Sequence, residues 1–244
     1  MIIINADDFG RSSDINAGIL KAFEDSLINH TTLMVNMPYV DEALQIAEAN
    51  NLLEKVGLHL NLTEGKPLYK EFDKRLLDCN GYFLKEQFYL RRGWHRFFLP
   101  LNIRKSIYKE FDLQFQKFLS LGFTKIHVDS HNHIHTDYAV YKVLKKLLKK
   151  YKKYIIYIRP SKNMYMSNTS KIKTIYKDIY NKSINAFLNR KKKVLFGALM
   201  DYQSKKEIDD YDFELMCHPV IINSNFFDLY DSSYNIQDLR KVKV

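Results

Sequence analysis

Short apolar runs alternate with longer amphipathic segments along this chain, and that alternation limits the possible architectures more than any other feature. The runs are "MIIIN", "TTLMVNMP", "VGLHLNLT", "KIHVDS", "YIIYIR" and "FELMCHP". Between them lie segments with helical spacing. "SSDINAGILKAFEDSL" offers Ser12 or Ser13 as an N-cap and sets Ile15, Ile19, Leu20 and Phe23 on one face. "DEALQIAEANN" is a second helix, and further helices are expected near 104–121, 137–151 and 169–189. Strand followed by helix, repeated, predicts an α/β fold with a parallel sheet or barrel. Residues 66–103, with Gly81, Gly93, Pro100 and many aromatics, follow no period and are expected to cross the barrel mouth as an irregular excursion. With no repeat and no low-complexity linker, residues 1–244 are expected to form one domain.

Polar, reaction-capable residues gather where these runs end. Asp7 and Asp8 follow the first, His59 lies in the third, Asp129 and His131 follow "IHV", Arg159 follows "YIIYI" and His218 follows "FELMC". In parallel α/β folds those ends share one face, so residues distant in sequence converge on one pocket. "HVDSHNHIH" holds His127, His131, His133 and His135, half of the eight histidines, beside Asp129. Imidazoles clustered with carboxylates point to a transition-metal site. Only one or two of the four are expected as ligands, with His127 pointing back into the strand. An Asx-turn closing the strand accounts for one of the two adjacent acids. The pair fits a division of roles better, one acid on a metal and the other on the water that the metal activates.

The formal charge of +10 is local: from Tyr141 to Leu195 there are 17 Lys/Arg against one acid, Asp178. Clusters such as "KKLLKKYKK" interleave lysine with apolar residues, as the solvated face of an amphipathic helix does. Cys79 and Cys217 are too few for a disulfide framework and lack metal-site spacing. No apolar run reaches the length of a membrane span, and the first residues lack the layout of a signal peptide. A soluble, cytoplasmic protein with no membrane partner is expected.

"NADDFG", "GLHLNLTEGKPL", "HVDSHNHIH", "IRP" and "ELMCHP", in that order, resemble the YdjC-like family of carbohydrate deacetylases. The resemblance runs from residue 2 to about residue 220. It implies a distorted (β/α) TIM-like barrel of the polysaccharide deacetylase type, commonly homodimeric. It also implies a metal-dependent hydrolase that removes acetyl groups from N-acetylated sugars such as chitooligosaccharides. Carried over, Asp8, His59 and His131 would ligate a divalent ion, Mg²⁺ or Zn²⁺, and Asp7 would be the general base. Arg159 and His218 match polar residues near the site, with His218 the candidate acid for the departing amine. Asn61, Glu64 and His133 are expected on the substrate, with one or two platforms from Tyr69, Tyr82, Phe88, Tyr89 and Trp94. The resemblance departs at "DLRKVKV", where the chain stops soon after a closing helix would begin. Rival readings are a polyanion- or nucleic-acid-binding protein using residues 141–195, and a metal-dependent phosphoesterase or isomerase on the same barrel.

Overall fold

A computed structural model describes residues 2–85, 90, 92–164, 171–203, 211–230 and 235–242. Among these, seven strands form one parallel sheet in the order β5-β4-β3-β2-β1-β7-β6. They are β1 (Ile2–Phe9), β2 (His30–Leu33), β3 (Val56–Leu60), β4 (Ile126–Ser130), β5 (Ile155–Ile158), β6 (Val194–Ala198) and β7 (Asp212–Cys217). A hairpin of β8 (Pro219–Ile222) and β9 (Asn225–Asp228) follows. The helices are α1 (Ser13–Glu24), α2 (Val40–Ala49), α3 (Leu101–Ser120), α4 (Tyr138–Lys150), α5 (Lys171–Phe187) and the short α6 (Leu199–Gln203). Phe88 and Tyr89 lie outside the described residues.

Six of the seven strands follow from the apolar runs. The seventh, β6, was not expected, because "VLFGA" follows directly on a lysine cluster and is only five residues long. Its inner partners, Phe213 and Leu215 of β7, make it a buried strand nonetheless. The first strand is longer than expected and runs through both acids. Its register against β2 shifts between Ala6 and Phe9, and there Asp8 takes a left-handed φ of 72°. This bulge re-aims one side chain, so that two successive acids, which would diverge in a regular strand, both enter the site.

The sheet is curled. Arg159, one residue past β5, bonds Asp7 of β1 and Glu214 of β7, which stand four and five places away in the strand order. In a flat sheet those places would lie ~19 and ~24 Å away at about 4.8 Å per strand, beyond the reach of any side chain. Curling brings the two edges together, and Asn163 joins them. Its backbone N–H donates to Phe196 O (3.2 Å), its side-chain amide donates to Val194 O (2.8 Å) and accepts from Phe196 N (2.8 Å), and the Met164 N–H adds a bond to Phe196 O (3.1 Å). A single side chain thus imitates the ladder that a further strand would supply.

The lysine-rich region behaves as a solvated face where α4 covers the sheet. Val143, Leu144, Leu147 and Leu148 are buried, while Lys142, Lys145, Lys146 and Lys149 are exposed. At the other end of the chain the β8–β9 hairpin packs on α1 so closely that a Cβ at Gly18 would lie 2.5 Å from Pro219 O. A 3₁₀ turn at Ile236–Lys241 buries Ile236 and Leu239. No described helix is long and apolar enough to cross a membrane.

Asn163→Ala strips partners from Phe196 N and Val194 O at the seam, and is expected to cost about 1–3 kcal/mol. Urea unfolding monitored by circular dichroism reads this as a lower midpoint; an unchanged midpoint would remove Asn163 from the account of closure.

Candidate active site

At the C-terminal end of the strands, register brings the motif residues together. His59 of β3 stands directly opposite Asp129 of β4. Asp8 Oδ1 lies 3.3 Å from His59 Nε2 and 2.8 Å from His131 Nδ1, and all three residues are buried. His131 owes its position to an abrupt turn after β4, where Asn132 and His133 both adopt left-handed φ, 52° and 53°. Backbone of this kind, held against its preference, concentrates at functional sites.

The donors suit a divalent cation. One carboxylate and two imidazoles offer ligand atoms all within 4.8 Å of one another. Each imidazole is backed by a second carboxylate. His59 Nδ1 donates to Asp129 Oδ1 (2.7 Å), and His131 Nε2 lies 3.1 Å from Glu64 Oε2. Such outer carboxylates fix ring orientation and raise ligand basicity. Two other groupings, Asp7–His59–Asp129 and His127–Asp129–Glu214, have the right residue types. Both include carboxylates already taken by the Arg159 guanidinium, which makes them poor hosts for a second cation.

Arg159 is fully buried and is the centre of the neighbouring charge network. It forms a fork on Asp7 (Nη1 to Oδ2 and Nη2 to Oδ1, both 2.7 Å), reaches Asp129 Oδ2 at 2.8 Å and donates from Nε to Glu214 Oε1 at 2.6 Å. Glu214 also accepts from the Tyr157 hydroxyl, and the Arg159 guanidinium lies over the Phe196 ring. Burial alone would push these carboxyls up, but Arg159 outweighs it: Asp7 falls below the usual carboxylate range and Glu214 to about 2. Asp8 is likewise low, burial being overcome by His131 and His59. His59 moves the other way, to about 10, because Asp129 and Asp8 outweigh its burial. A metal ion entering there must displace that proton.

His218 completes the arrangement from the end of β7. Its Nε2 is 3.9 Å from Asp7 Oδ2, its Nδ1 is 3.8 Å from Asp228 Oδ1, and its backbone N–H donates to Asp228 Oδ2 (2.6 Å). Burial lowers its pKa, yet Asp228 and Asp7 raise it overall. The Tyr230 ring stands perpendicular to the His218 ring at 4.6 Å. The Tyr230 hydroxyl accepts from Arg11, which also bonds Asp8 Oδ2 (3.1 Å) and Glu64 Oε1 (2.8 Å).

The other expected residues take different places. Asn61 is fully buried with both ends of its amide in use, donating to Asn36 Oδ1 and Glu64 O and accepting from Thr63 N and Glu64 N. Its amide therefore shapes the loop that presents Glu64 and has no bond left for a substrate. Glu64 faces Arg11 and His131. His133 sits edge-on to Phe196 and is pushed down to about 3 by burial and Arg159, which makes it a neutral ring beside the charges. His135 is held by Ser130, and His127 lies beneath the site, 3.5 Å from Glu214. Of the expected aromatic platforms, Tyr69 bonds Glu71, Tyr82 lies under Lys66, and Trp94 is exposed. The rings that do touch site residues include Phe196, against Arg159 and His133, and Tyr230, against His218. Arg11, Asp228 and Tyr230 carried no motif, whereas Glu214 had one legible signal, an acid inside the apolar run "FELMC".

Residues 1–240 match the sequence profile of the family described as YdjC-like protein. A carbohydrate deacetylase of Clostridium beijerinckii is 34% identical over 233 residues, 96% of this chain and 86% of that protein. One of Geobacillus stearothermophilus is 32% identical, covering 91% and 80%. One of Vibrio cholerae is 42% identical over 136 residues, about half of each chain. Among solved structures, a proposed cellobiose-phosphate cleavage protein from Enterococcus faecalis shares the fold, with a TM-score of 0.65 over 91% of this chain and 82% of its own at 24% identity.

Because the Glu214 carboxyl sits at about 2 rather than 4.5, its ionisation adds stability that is complete above pH 4.5 and drains away as pH falls toward 2. Urea midpoints measured across that window are expected to fall in the wild type and less steeply in Glu214→Gln. The variant is also expected to be roughly 3 kcal/mol weaker at neutral pH. Parallel slopes for the two proteins would show that Glu214 does not carry this dependence.

Proposed function

The chain belongs to the YdjC-like family, and on that premise we propose that it is a carbohydrate deacetylase, a metal-dependent hydrolase acting on N-acetylated amino sugars or short oligosaccharides of them. The observation that carries the reading is the pairing of one complete ligand set, Asp8, His59 and His131, with a second acid, Asp7, held beside it by Arg159. Asp8, His59 and His131 would hold a divalent cation such as Mg²⁺ or Zn²⁺, which would polarise the acetamide carbonyl and acidify water.

The chain's own groups supply the proton traffic. Asp7, kept ionised and aimed by the Arg159 fork, accepts the proton of the attacking water at Oδ2, the oxygen that faces His218. The same fork weakens Asp7 as a base, a trade that suits a base working on acidified water. An amide nitrogen does not leave as an anion, so a second proton must reach it. His218, protonated at Nε2 with Nδ1 toward Asp228, donates that proton to the departing amine. The products are acetate and the free amino sugar. The polyanion reading fits less well, because the basic stretch in α4 is the outer face of a helix whose apolar side is buried.

Acetate release from N-acetylglucosamine oligomers, abolished by a chelator and restored by metal, is the direct test. Asp7→Asn is expected to keep bound metal while turnover drops about 10²–10⁴-fold, the usual contribution of a positioned base. His59→Ala is expected to lose the metal itself, as read by elemental analysis. A fully active Asp7→Asn enzyme would falsify the base assignment, and metal-loaded protein that frees no acetate from any acetylated sugar would count against the whole reading.

A further inference from the structure

On the outer wall of the barrel α3 and α4 lie side by side, and their first turns leave an open cleft of about 1030 Å³. Arg104, Lys105 and Lys109 of α3 and Lys142 and Lys146 of α4 line it, with no carboxylate among the lining residues. Within the described residues none of these five cations is ion-paired. Lys109 rests on the Tyr69 ring and Lys142 on the rings of Phe98 and Tyr138.

The approach to α3, "RGWHRFFLPLNIRK" (residues 92–105), raises an apolar rim beside this cleft. Trp94 is 79% exposed, Phe98 65%, Leu101 55% and Phe97 51%. Four large apolar side chains exposed within eight residues are far from the scattered exposure that soluble surfaces tolerate. The patch also shares an end of the barrel with the active site. α4 begins two residues after Thr136, which closes the turn that carries His131, and α3 runs from that end toward the start of β4.

We propose that this face docks on an anionic lipid surface, with Trp94, Phe97, Phe98 and Leu101 entering the headgroup region and the surrounding arginines and lysines meeting lipid phosphates. Charge selects the occupant. A second copy would set the same unpaired cations against these, so self-association of the kind that the family resemblance implies belongs on another face. A nucleic-acid duplex or acidic glycan would answer the lysines but leave Leu101 and the protruding rings largely in water, and a single strand could stack bases on the rings but would leave Leu101 uncovered. A negatively charged bilayer answers both, since tryptophan favours the interface and basic residues favour anionic headgroups. The contact is peripheral, a property that hydropathy along the chain does not register.

Trp94 is the single tryptophan, so its emission reports the rim alone. Full-length protein is titrated with vesicles of phosphatidylglycerol mixed with phosphatidylcholine, and with phosphatidylcholine vesicles as control. The expected result is a blue shift of Trp94 emission and co-sedimentation with the anionic vesicles only, weakening at least about fivefold as salt screens the contact. Phe97→Ser/Phe98→Ser, which keeps the probe, and Lys142→Glu/Lys146→Glu, which keeps the rim, are each expected to weaken vesicle binding about tenfold or more. None of these positions belongs to the active site, so acetate release from a soluble acetylated sugar should be unchanged, and failure here is separable from failure of the deacetylase reading. No shift with anionic vesicles overturns the proposal. So does a shift that follows protein concentration without lipid, or binding to single-stranded DNA or heparin with none to vesicles.

Discussion

One buried guanidinium organises the interior. Arg159 gathers carboxylates from β4 and from the adjacent pair β1 and β7, which a flat sheet would keep far from β5, and so couples the curl of the barrel to the position of Asp7. A lone buried cation of this kind would be prohibitively costly, and so would three unpaired carboxylates. Together they form a network in which no member can leave without exposing the others to the low-dielectric core. The catalytic layer rests on it. The acid proposed as base is bound by the same fork that ties the edge of the sheet to its centre, and Asp129 both receives Arg159 and orients His59.

A second tier of charges sits above the first, closer to solvent. Asp8, Arg11, Glu64 and His131 close a ring of alternating sign, each bonded to the next, with Tyr230 attached through Arg11. The lower tier is fully buried. In the upper tier Arg11 and Glu64 are partly exposed, so it is the layer that faces solvent. The stacking accounts for the number of acids and bases in the site: each group proposed to react is oriented by another.

The period of the chain and its strand-end residues were enough to read an α/β fold and to place Asp7, Asp8, His59, His131 and Arg159 on one face; the barrel and the choice of Asp8, His59 and His131 as ligands came from the family resemblance. These are local signals: a carboxylate or histidine at the end of an apolar run keeps its meaning whatever packs against it. What could not be read depends on partners distant in sequence. β6 is a strand because β7 and Asn163 flank it, not because "VLFGA" insists on it. Asp228 and Tyr230 acquire their places only when the hairpin after β7 folds back, and Arg11 gains Tyr230 as a partner then. Asn61 misled for the complementary reason. An amide near a ligand histidine suggests substrate contact, and only the loop's own hydrogen bonds show that its capacity is spent.

The bulge at Asp8 ties ligand chemistry to backbone shape. A residue with φ of 72° must tolerate the left-handed region, which glycine, asparagine, aspartate and, as at His133, histidine do more readily than β-branched residues. Of these only aspartate brings an anionic oxygen. The alphabet available at this position therefore shrinks to one letter before any metal is considered. Replacing this carboxylate by the one-carbon-longer acid would set at the bulge a residue less at ease in the left-handed region. The reach of the site is thus set first by a peptide torsion, ahead of the choice of any ion.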